Sequence, residues 1–144
     1  MKRPRRLTGP TPIAAFGSAL VEAGWGVKGT TLFEGMDTDV PTGTLTGPAL
    51  ISVLDTGAGE EDSRTHDGNV VGHPRFQVTV RHAKFATANV LAADLHNWCR
   101  EQKNVTAGGK FWLWLTPVQR PFGRGKDASG RALISFNVRT AMRD

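Results

Sequence analysis

The sequence predicts an α+β fold, a largely antiparallel sheet of about four strands with two helices packed on one of its faces. Three segments alternate apolar and polar side chains at the two-residue period of a half-buried strand. Two others place apolar residues along a single stripe at helical spacing. Packing both stripes on one face of a sheet buries every apolar set at once, in the order α-β-β-α-β-β.

Residues 1–10 carry Lys2, Arg3, Arg5 and Arg6 and no acid, and are expected to form a flexible basic arm. Thr11 and Pro12 then open the first helix. A threonine hydroxyl can cap free backbone donors, and proline suits the first helical position because its missing N–H is not needed there. Ile13, Phe16 and Leu20 share one side of it. Gly24 suits the left-handed conformation that ends a helix, with Trp25 folding back onto Leu20. A short strand is expected near Leu32 and Phe33 in a stretch rich in glycine, threonine and proline. Ala49 to Asp55 is a nearly continuous apolar run, the pattern of a strand buried on both faces. The polar, glycine-rich and locally acidic stretch 56–74 is expected to be a long mobile loop, because connections of that length in a compact domain are usually functional or disordered.

Arg75 to His82 is the second clear strand: Phe76, Val78 and Val80 alternate with Gln77, Thr79 and Arg81. Phe85 to Gln102 is the main helix, with Ala88, Leu91, Ala92, Leu95, Trp98 and Cys99 on one stripe. The "NVTAGG" run ends it and turns the chain. Strict alternation from Lys110 to Thr116 points Phe111, Leu113 and Leu115 toward the core and Trp112, Trp114 and Thr116 away from it. Arg131 to Thr140 forms the last strand, with Ala132, Ile134, Phe136 and Val138 facing one side. No repeat or second domain is evident, so residues 11–144 read as a single domain, a usual size for one core.

Charge is segregated along the chain. The net charge is +5. Residues 110–144 have seven basic and two acidic side chains, whereas residues 11–109 have seven basic and eleven acidic ones. Basic ends of this kind suit a polyanion or an acidic protein partner. No apolar run approaches the roughly 20 residues of a membrane helix, and the basic start lacks the apolar stretch of an export signal. The single cysteine, Cys99, excludes an internal disulfide and a multi-cysteine zinc site.

No catalytic pattern stands out. There is no G-x-S-x-G elbow, and Cys99 sits on a buried stripe where a thiol is normally inert. The histidines lack H-E-x-x-H spacing, and His66, Asp67 and His73 read as solvated loop residues rather than ligands. "GRGKD" is not a P-loop: its glycines and Lys126 precede a strand, and an aspartate follows the lysine. No enzyme activity, metal or cofactor is therefore expected. Trp112 and Trp114, if exposed, are candidates for a subunit interface, because large aromatics bury much area with few rotatable bonds. Asp127 and Gly130 are expected to shape the turn of a hairpin.

The carboxy-terminal segments "HPRFQVTVRHAKFATANVLAADLHNWC" and "WLWLTPVQRPFGRGKDASGRALISFNVRT" resemble the tail-terminator, or tail-completion, proteins of long-tailed bacteriophages, often called minor capsid proteins. A strand with an R-F-Q-V-like start precedes a helix closing in L-x-x-W. A Q-x-P-x-x-x-G-x-D-x-x-G-R turn and a strand containing S-F-N follow. The resemblance spans about residues 45–140.

It implies a structural virion protein at the head-proximal end of the tail, made in the host cytoplasm. It further implies a homo-oligomeric ring, commonly a hexamer, that caps the tail tube, stops its polymerisation and offers a surface for head joining. Its partners would be the major tail tube protein and a head-completion or neck protein, with non-specific contact to passing DNA and no membrane. On that reading Arg120, Arg124, Lys126 and Arg131 are candidates to line the ring lumen or meet the tube. A head–tail connector or head-completion ring, or a nucleic-acid-binding module using the arm and the basic loop, are the alternatives.

Overall fold

The computed structural model describes residues 11–35, 40–41, 47–57, 63–64 and 70–143. The expected arm at 1–10 lies outside them, as does most of the expected loop at 56–74, including His66 and Asp67. The described residues form two helices and nine strands in one mixed sheet. The elements are α1 (Pro12–Glu22), β1 (Leu32–Glu34), β2 (Leu50–Asp55), β3 (Ser63–Arg64), β4 (Val70–Gly72), β5 (Arg75–His82), α2 (Phe85–Glu101), β6 (Lys103–Ala107), β7 (Lys110–Pro117), β8 (Phe122–Lys126) and β9 (Ala132–Arg143).

The α+β class holds, but the sheet is more than twice the expected four strands. The additional ones are short. Two residues of β3 and three of β4 pair within the stretch expected to be loop. "NVTAGG" supplies β6 and a tight Gly108-Gly109 hairpin into β7. "FGRGK" supplies β8, the first arm of the hairpin into β9. Strands this brief offer too few alternations to register as a pattern.

β9 organises the sheet. Along one edge it pairs antiparallel with β5 and then β4, and along the other with β7 and then β8. β2 continues outward from β5, and β1 joins β2 as a parallel edge strand. All other strand pairs are antiparallel.

Both helices bury their stripes in the same core, against one face of the sheet. The cross-strand rows Val53–Val78–Phe136 and Ile51–Val80–Ile134 point into it. From α1 comes Phe16, stacked on Phe76 at 4.6 Å and edge-on to Trp112 at 6.1 Å. From α2 come Ala88, Ala92, Leu95 and Cys99, all fully buried. Burial pushes the Cys99 thiol well above its ordinary pKa by desolvation, which keeps it protonated and inert.

α1 begins and ends as its sequence dictates. The Thr11 hydroxyl accepts from the Ala14 amide at 3.3 Å, and Pro12 is the first helical residue. Gly24 takes φ +87°, its amide reaches the Val21 carbonyl, and the Trp25 amide reaches that of Leu20. Those are the two bonds of a Schellman stop.

One expectation fails in β7. Trp112 is 1% exposed and lies inside the core, not on the outside. A β-bulge between Trp112 and Trp114 explains it: Trp112 opposes Met142 and Trp114 opposes Ala141, so Leu113 is the extra residue. The insertion breaks strict alternation and turns both Trp112 and Leu115 to the core. Phe111 and Leu113 are half-buried instead.

Candidate interaction surface

The face of the sheet opposite the helices carries the alternate, mostly polar residues of the core strands: Ser52, Gln77, Thr79, Arg81, Ser135, Asn137 and Arg139, with the apolar Leu133 among them. Its two halves differ.

The first half is covered by the chain itself, through the β8–β9 hairpin. Asp127 Oδ1 accepts from the amides of Ser129 (3.0 Å) and Arg131 (2.9 Å), closing the turn, and Gly130 supplies the left-handed residue at φ +82°. Asp127 Oδ2 accepts from Arg131 Nε at 2.8 Å and pairs with Arg81 at 3.6 Å. Arg131 also donates to the Pro41 carbonyl at 2.9 Å, and Arg81 donates to Ser52 Oγ at 3.0 Å. Arg124 reaches across to Ser135 Oγ (2.8 Å) and Thr79 Oγ1 (3.2 Å), which bond each other at 2.8 Å. Arginine forks thus clamp the turn onto the sheet with charge-assisted bonds. Partial burial acts to raise the Asp127 carboxyl. The hydrogen bonds and charge of Arg131 and the Ser129 amide outweigh it and hold the group below its ordinary pKa.

This geometry divides the four cations singled out in the sequence. Arg131 is buried, and Arg124 is half-buried. Both guanidinium groups turn inward to partners in the same chain, so neither is displayed by the hairpin as expected. Arg120 and Lys126 are exposed. The acid that shapes the turn was legible in its spacing; Arg81, forty-six positions earlier, gave no signal that it would meet it.

The second half of the face holds a small recess lined by His73, Arg75, Trp114, Arg139 and Thr140, none of them exposed. Arg75 and Arg139 are direct cross-strand neighbours, and Thr116 stands opposite Arg139 on the other side. His73 lies against Trp114 with ring centroids 6.2 Å apart, and its Nδ1 meets the Thr140 carbonyl at 3.2 Å. Farther along, the Arg143 guanidinium sits 4.6 Å above the Phe111 ring.

A groove of about 350 Å³ beside β1 is lined by Lys28, Gly29, Leu32, Phe33 and Glu34. Its charges are engaged within the chain: Lys28 pairs with Glu34 at 2.8 Å and donates to Ser18 Oγ and the Ala14 carbonyl. Among the described residues, no three His, Cys, Asp or Glu side chains gather where they could hold a metal ion. No helix there is long and apolar enough to cross a membrane.

A family model described as "Bacteriophage tail terminator protein" matches residues 20–143. The chain belongs to that family. Membership makes it a structural protein of the phage tail, in a family that is not one of enzymes. The match runs from within α1 to the last residue of β9 and so takes in both halves of the sheet face. Among solved structures, a chain of the "Virion of native gene transfer agent (GTA) particle" has a similar fold. It is 18% identical, with a TM-score of 0.57, and the likeness covers 94% of this chain and 100% of that one. None of the curated proteins compared with it matches.

Proposed function

We propose that this tail terminator family member caps the tail tube, stops its polymerisation and provides the tail-side surface for head joining. The observation that carries this reading is the family match over residues 20–143. The mechanism is stoichiometric. Subunits close into a ring, a hexamer on the sequence resemblance, and the ring occupies the surface on which the next tube layer would add. Closure requires a head-to-tail interface in which different patches of successive subunits meet. Arg120 and Lys126, the exposed cations of the former group of four, are the candidates for the lumen or for contact with passing DNA. Trp114, half-buried on the sheet face opposite the helices, is the remaining candidate for the subunit interface.

Electron microscopy of particles made without this protein tests the role. Overlong tails of variable length are expected. Tails of normal length joined to heads that leak DNA would assign the protein to head completion instead.

A further inference from the structure

We propose that the groove beside β1 receives Phe85 of a second copy of this chain, so that successive subunits meet through opposite edges of their sheets. The inference rests on the ring of the capping reading and supplies a contact in which Trp114, on the other face, takes no part.

The distribution of exposed apolar area leads there. Among the described residues, the large apolar side chains left exposed are Val27, Phe85, Val90 and Val118. Three of these lie at the two lateral edges of the sheet. Phe85, 58% exposed, opens α2 and abuts Gly123 of β8, where a Cβ would stand 3.6 Å from its ring. Val118 lies in the segment that joins β7 to β8. Val27 belongs to the turn leading into β1, and its carbonyl accepts from the Leu32 amide. Exposed apolar area gathered in this way marks an interaction surface.

Strand register sets the two edges level with each other. Leu32, Ile51, Val80, Ile134 and Gly123 are successive cross-strand partners from β1 to β8. The row crosses four strand spacings, about 19 Å. Leu32 lines the groove at one end, and Phe85 rests against Gly123 at the other. Both ends lie on the helix side of the sheet: Leu32 belongs to the core, and Glu34 approaches Gly17 of α1. One edge is therefore hollow where the opposite edge protrudes. A head-to-tail contact needs two different, complementary patches on the same chain, and its repetition closes a ring.

Size and charge also match. The groove measures about 350 Å³, and a cavity of about 150 Å³ is enough for benzene. Leu32 and Phe33 give it apolar walls. Phe85 sits at a positive helix end: exposed Lys84 precedes it, the first turn of α2 has no acid, and no side chain caps it. The groove offers the Glu34 carboxylate, 25% exposed, whose lysine partner Lys28 is shared with Ser18 and the Ala14 carbonyl. The contact is made by side chains rather than by strand addition. β1 has three residues, and a register shift between Gly123 and Lys126 bends β8, and both features blunt a sheet edge.

The test is crosslinking of the full-length protein with a short bismaleimide. It uses Thr30→Cys beside the groove and Ala86→Cys beside Phe85, both at exposed positions. Cys99 is buried and stays unreacted. Each variant is treated free and after addition to growing tail tubes, and tube-growth arrest is scored in parallel. Circular dichroism melting checks that each one folds. The double variant Thr30→Cys/Ala86→Cys should give a ladder of covalent oligomers. A mixture of the two single variants should give only dimers, and either single variant alone should give none. Adding Phe85→Glu should cut the ladder at least about tenfold. Val90→Glu, just as exposed but on the outer face of α2, should leave it within about twofold.

A ladder unchanged by folded Phe85→Glu overturns the proposal. So does a single variant that crosslinks to itself, which would show a two-fold contact. A double variant that arrests tube growth yet gives no ladder, free or on tubes, overturns this interface and leaves the capping role in place. Ladders without arrest support the contact and remove the capping role. Neither ladders nor arrest removes both.

Discussion

A single carboxylate, Asp127, is the residue on which the covered half of the sheet face depends. It closes its own turn through two backbone amides and pairs with two buried guanidinium groups, those of Arg81 in β5 and of Arg131 just before β9. Removing one partner from such a group leaves buried charge without its counter-ion, so Asp127→Ala should lower stability by about 3 kcal/mol in urea unfolding. A loss below about 0.5 kcal/mol, the ordinary scatter of surface substitutions, would show that the clamp is ornamental. The same group gives a pH signature. Its folded-state pKa is depressed, so its contribution is complete above the ordinary aspartate value near about 3.9 and is lost as pH falls through the lower folded value. Unfolding curves of Asp127→Asn should therefore be flatter than wild type's below about pH 4. Gly108 makes a second residue-scale case. It has φ +61°, and a Cβ there would run into the Ala15 carbonyl oxygen of α1, while its amide donates to Glu22 at 3.1 Å. Gly108→Ala combines a left-handed backbone costing about 1–2 kcal/mol with overpacking of about 1–3 kcal/mol. A melting temperature unchanged by it would contradict the close approach of the β6–β7 turn to α1.

At the scale of elements, the long and strongly periodic segments were legible and the brief or irregular ones were not. α1, with its threonine cap and glycine stop, follows its sequence closely, because those signals are local. So do β5 and the stripe of α2. β6 and β8 were not legible, since five residues running into a Gly108-Gly109 turn, or five mixing glycine with cations, look like loop until a neighbouring strand fixes them. The orientation of β7 was misread because a bulge depends on pairing with β9, which no local pattern encodes. Deleting Leu113 offers a direct check. With the extra residue gone, Trp112 still opposes Met142 and Leu115 still opposes Thr140, now in strict alternation, so both should stay in the core. Stability should change by less than about 2 kcal/mol, and tryptophan emission should stay native. A loss of about 3–5 kcal/mol with red-shifted emission, as for expulsion of a large core side chain, would mean that no bulge is present.

For the molecule as a whole, sequence alone conveyed the α+β class, the charge segregation and the tail-protein character. It did not convey how the cations are distributed in space. Four basic residues crowded into one turn suggested a displayed basic loop, yet two of them fold inward, and the Arg75–Arg139 pair is assembled from β5 and β9, more than fifty residues apart. Such a pair exists only once register is set. The layered fold that results has the helices on one face of the sheet and the Arg75–Arg139 pair on the other. The most direct measurement is the length distribution of tubes grown from purified tail-tube subunits with and without this protein, imaged by electron microscopy. Capping predicts that substoichiometric amounts arrest growth and leave short tubes with added density at one end. Tubes that lengthen at the same rate and to the same extent in its presence would contradict the account.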